Sequence, residues 1–180
     1  YITGDPVDSH DRNALTINHY LQDGKGHQTK HVVGPSKRLG GQVGEVITID
    51  PQNSDNQIAG YTAVGKSPIS RTLGVKAGSP IDLYYTANDA NNITVHEFTV
   101  NGNHVALINT AMPNGKTGET LKLDDNSNLT IPVGYHIATP DELKDAKVSQ
   151  PTDLTYKASP QTVSVYVAGN QVDKAVMVHS

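Results

Sequence analysis

Leu15-Thr16-Ile17-Asn18-His19-Tyr20 decides the fold, because it returns as Ile93-Thr94-Val95-His96-Glu97-Phe98. The echo continues along the chain. Gly41-Gln42-Val43-Gly44-Glu45-Val46-Ile47-Thr48-Ile49-Asp50 is matched by Gly115-Lys116-Thr117-Gly118-Glu119-Thr120-Leu121-Lys122-Leu123-Asp124. Gly60-Tyr61 is matched by Gly134-Tyr135, and Ile81-Asp82-Leu83-Tyr84 by Val163-Ser164-Val165-Tyr166. Self-similarity on this scale means two modules in tandem. In both opening copies apolar and polar residues alternate, the period of a strand with one buried face. They run into Asp23-Gly24 and Asn101-Gly102, dipeptides that suit tight hairpin turns, so each module is expected to open with a β-hairpin.

The two copies are not evenly spaced. They stand 78 residues apart at the hairpin, 74 at the Gly-x-x-Gly-Glu turn and 82 at the last strand. The second module therefore loses residues after its hairpin and gains them before its last strand. The gained stretch holds Thr139-Pro140-Asp141-Glu142, with an N-cap, a proline at the first helical position and a glutamate completing a capping box. A helix of about two turns is expected near 139–147. In the last strands Ile81, Leu83 and Tyr85 share one face, as do Val163, Val165 and Val167. The expected organisation is a lead-in over 1–14, a first module over 15–87, a polar connector over 88–92 and a second module over 93–180. The alternating run Val172–Val178 reads as an extra strand of that module or the entry to a further one.

The 180 residues contain no cysteine, so neither disulfides nor thiolate–metal sites contribute. That suits either a cytoplasmic protein or an exported one that is not stapled by disulfides. Each module, at about 75 residues, is near the lower limit for a self-sufficient apolar core. The net charge of −4 comes without a basic stripe, so nucleic acid is an unfavoured partner. No apolar run is long enough to span a membrane. The absence of an initiator Met and of a signal peptide suggests a piece of something longer.

The ordered set of strand, Asp/Asn-Gly hairpin, Gly-x-x-Gly-Glu, Gly-Tyr and final strand, seen twice, resembles the mucin-binding (MucBP/MUB) repeats of Gram-positive, lactobacillus-type cell-wall adhesins. The first match runs through Leu15–Tyr20, Asp23-Gly24, Gly41–Ile49, Gly60-Tyr61 and Ile81–Tyr85. The second runs through Ile93–Phe98, Asn101-Gly102, Gly115–Leu123, Gly134-Tyr135 and Val163–Val167. The resemblance implies an α+β, mainly β fold of two tandem β-grasp (ubiquitin-like) modules forming an elongated rod. It also implies a non-catalytic, secreted parent attached to the bacterial cell wall. The implied partners are host mucins, their glycans or other host glycoproteins such as immunoglobulins, met by a monomer within a multi-repeat chain.

Several residues have chemical potential, and each also has a plainer role. Gly115-Lys116-Thr117 looks like the end of a phosphate-binding loop, but Thr110 stands where that motif needs glycine, and a turn before a strand is the better reading. Asp124-Asp125-Asn126-Ser127-Asn128 begins like an EF-hand loop, yet Leu129 and Tyr135 occupy its glycine and glutamate positions. A looser Ca²⁺ site over Asp124, Asp125, Asn126 and Asn128 remains as the alternative to a solvated loop, and no other cofactor is indicated. Asp5, Asp8 and Asp11 form a second acidic cluster of the same kind. His27 and His31 lie roughly 13 Å apart if extended, too far to share an ion. Tyr61 and Tyr135 correspond between modules, as do Tyr84 and Tyr166, and Tyr20 and Phe98. Such shared aromatics read as architectural. Tyr85 and Tyr156, which lack aromatic counterparts, join Tyr61 and Tyr135 as candidates for ligand contact. The competing reading is a structural spacer, and an exposed Tyr/Asn cluster on one face separates the two. A third is a protein-binding module that accepts a strand at an open sheet edge.

Overall fold

The structure is a computed structural model that describes residues 2–124 and 129–172. It is mainly β and divides into two compact units, Tyr1–Asn88 and Asp89–Ser180. The run Val172–Val178 lies outside the described residues beyond its first residue.

In the first unit, β1 (Pro6–Val7) and β2 (Leu15–Gln22) precede β3 (Gln28–Leu39), β4 (Gly41–Gln42) and β5 (Val46–Ile49). A 3₁₀ turn over Ser54–Asn56 leads to β6 (Tyr61–Ala63), β7 (Ile69–Thr72) and β8 (Ile81–Ala87). The main sheet has the order β3-β2-β8-β6. At its centre β2 runs parallel to β8, while β3 and β6 are antiparallel to their neighbours. The parallel pair forces the crossover between β2 and β8 over one face of the sheet. The ribbon β5–β7 forms in that crossover. Residues 1–14 are more than a lead-in: β1 pairs with β4, and Val7 and Ala14 enter the core.

The second unit repeats this plan with β9 (Ile93–Asn101), β10 (His104–Ala111), β11 (Thr120–Leu121), β12 (Tyr135–Ile137), β13 (Leu154–Thr155) and β14 (Gln161–Gly169). Its main sheet has the order β10-β9-β14-β12, with β9 and β14 parallel at the centre. The ribbon is β11–β13.

Strand alternation sorts each sheet into two faces. Leu15, Ile17, Ile81, Leu83 and Tyr85 point inward in the first unit and pack against Ile47, Ile49 and Ile69 from the ribbon. Ile93, Val95 and Val165 do the same in the second unit, against Leu121, Leu123, Leu154 and Tyr156. The repeated glycines have a physical reason. Gly44 and Gly118 have φ of 93° and 89°, and Gly60 and Gly134 have 86° and 90°. Side chains with a Cβ rarely adopt that left-handed region.

Gly115 is required for a different reason: a Cβ there would clash with the ring of Tyr156. The Tyr156 hydroxyl donates to the Pro113 carbonyl at 3.0 Å, which fixes the ring across the turn. The phosphate-loop look of Gly115-Lys116-Thr117 thus reflects packing. Gly115→Ala is expected to destabilise the second unit by about 1–3 kcal/mol through overpacking. Denaturant titration of the full chain checks this, and an unchanged midpoint for the second unit's transition would contradict it.

The expected helix forms but is shorter. α1 spans Pro140–Leu143, one turn, with Thr139 as N-cap and the capping box with Glu142 complete. The chain then continues in turns to Lys147, whose φ of 57° ends any helical path. The inserted segment has another role. Leu143 is buried with Val100, Ala138 and Ala168, and Ala146, Val148 and Tyr166 pack alongside. Val100, Tyr166 and Ala168 lie on the face of the sheet opposite the main core, so the insertion caps part of that outer face. The hairpins also differ. Asn101 and His104 are register partners across a two-residue turn, whereas the first hairpin closes through a wider loop, with Asp23 N–H bonded to the His27 carbonyl at 2.9 Å.

Candidate functional site

The outer face of the first unit's sheet carries its most developed polar surface. Parallel register sets Asn18 beside Asp82 and Tyr20 beside Tyr84. Alternation along each strand puts these four side chains on the same face, in two adjacent rows. The Asn18 amide donates to Asp82 Oδ1 at 2.9 Å, and Ser36 donates to Asn18 Oδ1 at 2.8 Å. Lys30 Nζ lies 3.3 Å from Asp82 Oδ2 and 4.8 Å from the centre of the Tyr20 ring. The Tyr20 and Tyr84 rings are 6.1 Å apart and tilted by 38°. Hydrogen bonding to Asp82, reinforced by its charge, raises the Lys30 pKa. As a solvent-exposed pair, Lys30–Asp82 adds little to stability. Its consequence is positional: it holds an ammonium, a carboxylate and an amide beside two aromatic rings.

The second unit repeats the ring row with different polar groups. Phe98 and Tyr166 are register partners with rings 5.9 Å apart, and His96 lies 6.3 Å from Phe98. His96 Nδ1 and Thr110 Oγ1 are 3.1 Å apart. Here the insertion packs against Tyr166, so this row is open on one side only.

The insertion also makes a groove of about 660 Å³ in the second unit. Tyr135, Asn101, Asp141, Glu142, Asp145 and Asn170 line it. Next to it, His136 Nε2 is 2.8 Å from Glu142 Oε1 and Nδ1 is 2.7 Å from Asn170 Oδ1. The hydrogen bond to Glu142, then that to Asn170, raises the His136 pKa. The Thr139 backbone N–H and His136 lower that of Glu142. This array can orient a hydroxyl-rich ligand by hydrogen bonds.

No protein-family model matches the chain, and no curated protein matches it.

The four tyrosines singled out from the sequence fall into two groups. Tyr61 and Tyr135 are partly exposed, Tyr61 against the first core and Tyr135 at the groove. Tyr85 and Tyr156 are 0% and 2% exposed. They therefore offer no surface to a ligand, and the expectation that they contact one is corrected. Each donates its hydroxyl to a backbone carbonyl, Tyr85 to Asn56 and Tyr156 to Pro113. The rings that do reach solvent include Tyr20, Tyr84, Phe98 and Tyr166, those read as purely architectural. The clue was present in the alternation: with Ile81 and Leu83 facing inward, Tyr85 must face inward and Tyr84 outward.

Asp124 is exposed, while Asp125, Asn126 and Asn128 lie outside the described residues. Among the described residues no three His, Cys, Asp or Glu side chains converge as metal ligands. Asp8 and Asp11 instead build a turn, with the Asp8 N–H bonded to Asp11 Oδ2 at 2.8 Å and Asp8 Oδ1 accepting from the His10 N–H at 3.2 Å. His27 pairs with Asp23 at 3.3 Å.

Two buried polar residues were not singled out from the sequence. His19 and Glu97 occupy equivalent inward positions on the central strands and are 3% and 0% exposed. His19 Nδ1 and both Glu97 carboxyl oxygens lack a hydrogen bond of good geometry among the described residues. Desolvation lowers the His19 pKa and raises that of Glu97, with the Asn109 amide pulling weakly the other way on Glu97. The signal was the alternation itself, which places both residues in the core row.

Proposed function

We propose that the chain is a pair of non-catalytic, β-grasp-like binding modules from an extracellular bacterial adhesin of the mucin-binding type. In this reading the outer sheet faces engage the glycans of host mucus glycoproteins. The observation that carries it is the outward-facing row of partly exposed Asn18, Tyr20, Asp82 and Tyr84 with the exposed Lys30 beside it. Aromatic faces pack against the apolar C–H surface of a sugar ring, while amide, carboxylate and ammonium groups meet its hydroxyls. A spacer has no need of such a row on one face. The β-grasp assignment draws support from the topology, in which a first hairpin strand lies parallel to the last strand at the sheet centre. A helix packed across the sheet is absent among the described residues of the first unit, where the ribbon β5–β7 fills the crossover. No helix among the described residues is long and apolar enough to cross a membrane.

Open faces of this kind bind single sugars weakly, and display in many copies raises avidity by roughly 10²–10⁴. The test is a mucin-glycan array probed with a multimerised form of the full chain. Tyr20→Ala with Tyr84→Ala is expected to lower retention at least tenfold, about 1.4 kcal/mol, while the first unit stays folded with a thermal transition lowered by no more than about 10 °C. Equal retention by the wild type and the double variant would falsify the assignment of this face.

A further inference from the structure

We propose that β10 is a self-association edge, pairing antiparallel with β10 of a second copy of this chain. β10 is the outermost strand of the second unit's sheet and pairs with β9 alone. Every residue from His104 to Thr110 is exposed. The strand carries a row of exposed apolar side chains, with Val105 at 42%, Leu107 at 55% and Ile108 at 39%. Between Phe98 and Gly115 there is no Asp, Glu, Lys or Arg.

The first unit supplies the contrast. Its corresponding edge, the hairpin and β3, carries Asp23, Lys25, Lys30, Lys37 and Arg38. Charges on an edge strand, lysine above all, oppose pairing with another strand, since each would be desolvated or meet its like. The same scaffold thus has a guarded edge in one unit and an unguarded, aliphatic one in the other. An uncharged strand is also the kind that can pair with itself, because two-fold pairing repeats every residue across the axis.

Geometry narrows the register. A two-fold axis perpendicular to the sheet keeps each side chain on its own face, so only residues of equal parity oppose one another. Val105 and Leu107 share the outer face, being register partners of Val100 and Phe98. Centring the axis on Ala106 sets Val105 of each copy against Leu107 of the other, with the two Ala106 residues facing each other. The ladder irregularity between Leu107 and Asn109 limits the paired segment to about Val105–Leu107, with His104 opposite Ile108 at its ends. A ladder this short buries less than the roughly 1,200 Å² of a stable complex, so the dimer is a concentrated-solution species.

The test uses the full chain in sedimentation velocity from about 10 μM to about 1 mM. A reversible monomer–dimer equilibrium is expected, with the dimer fraction falling at least fivefold in Leu107→Lys. Because the chain has no cysteine, Ala106→Cys reports register: it is expected to form an intermolecular disulfide at least tenfold faster than Val32→Cys on β3. A chain that stays monomeric at the highest concentration overturns the proposal, even if a foreign peptide protects the β10 amides. So does a dimer that survives Leu107→Lys, or crosslinking no faster at position 106 than at position 32.

Discussion

Glu97→Leu is expected to raise the stability of the second unit at pH 7 by about 1–3 kcal/mol, the scale of relieving one buried carboxyl whose desolvation outweighs what the Asn109 amide returns. For a unit of this size that is about 4–8 °C in melting temperature per kcal/mol. The position decides the sign. Glu97 is fully buried between inward-facing neighbours on a central strand, and neither carboxyl oxygen has a well-formed hydrogen bond among the described residues. Burial raises its pKa, so the folded unit keeps the proton to higher pH than the unfolded chain does. The unfolded carboxyl titrates near 4.5. Above that pH the unfolded state sheds its proton first, and the stability present in acid is lost as pH rises through the folded value. Glu97→Gln should therefore flatten the fall in stability that begins as pH rises above about 4.5. Identical pH slopes for the wild type and Glu97→Gln would show that the carboxyl is ionised and partnered in the fold.

The equivalent residue in the first unit acts in the opposite direction. Desolvation lowers the His19 pKa, so the folded unit excludes a proton that the unfolded chain takes up below about 6.5. Its contribution is present above that pH and lost as pH falls. From these two groups alone, mild acid weakens the first unit and strengthens the second. One scaffold position, filled by residues of opposite charge type, gives the two units opposite pH responses.

The architecture was legible because it is written as repetition and alternation. The hairpin strands, the parallel central pair and the inward rows follow from Leu15–Tyr20, Ile93–Phe98, Ile81–Tyr85 and Val163–Val167 at period two. The paired glycines marked turns whose backbone demands φ near 90°. The ribbons β5–β7 and β11–β13 were harder to see, since strands of two to four residues carry too few side chains to show a period. The length of α1 was misjudged because a good N-cap says where a helix starts and nothing about where it stops; Lys147 decided that. The site was less legible for a different reason. Aromatic residues recurring in both modules were read as core, yet a repeated scaffold repeats its outer face as faithfully as its inner one. Tyr20 with Tyr84 and Phe98 with Tyr166 are conserved between units by register, and they sit outside.

Tyr84 and Tyr85 turn that distinction into a measurement. Tyr85→Ala is expected to cost the first unit about 3–5 kcal/mol, the range for removing a fully buried large aromatic side chain. That is a large share of the roughly 5–15 kcal/mol that holds a domain folded. The ring packs 5.9 Å from the buried His19 ring, and its hydroxyl donates to the Asn56 carbonyl at 2.5 Å, tying β8 to the 3₁₀ turn. Tyr85→Phe keeps the ring and removes that bond, so a smaller loss of about 1–2 kcal/mol is expected. Burial also pushes the Tyr85 hydroxyl up to about 12. A phenol held protonated in the fold stabilises it fully below the unfolded value near 10 and loses that contribution as pH rises through 12. The wild-type first unit should therefore weaken in strong base more steeply than Tyr85→Phe does. Tyr84→Ala, one residue away on the outer face, should cost about 1 kcal/mol or less, as for a partly exposed side chain. Its expected loss is in glycan retention. Hydrogen exchange of the first unit's core amides, measured beside array binding for both alanine variants, separates the roles. If Tyr85→Ala left core protection intact, or if Tyr84→Ala removed it, the division of this strand into a packing face and a binding face would be wrong.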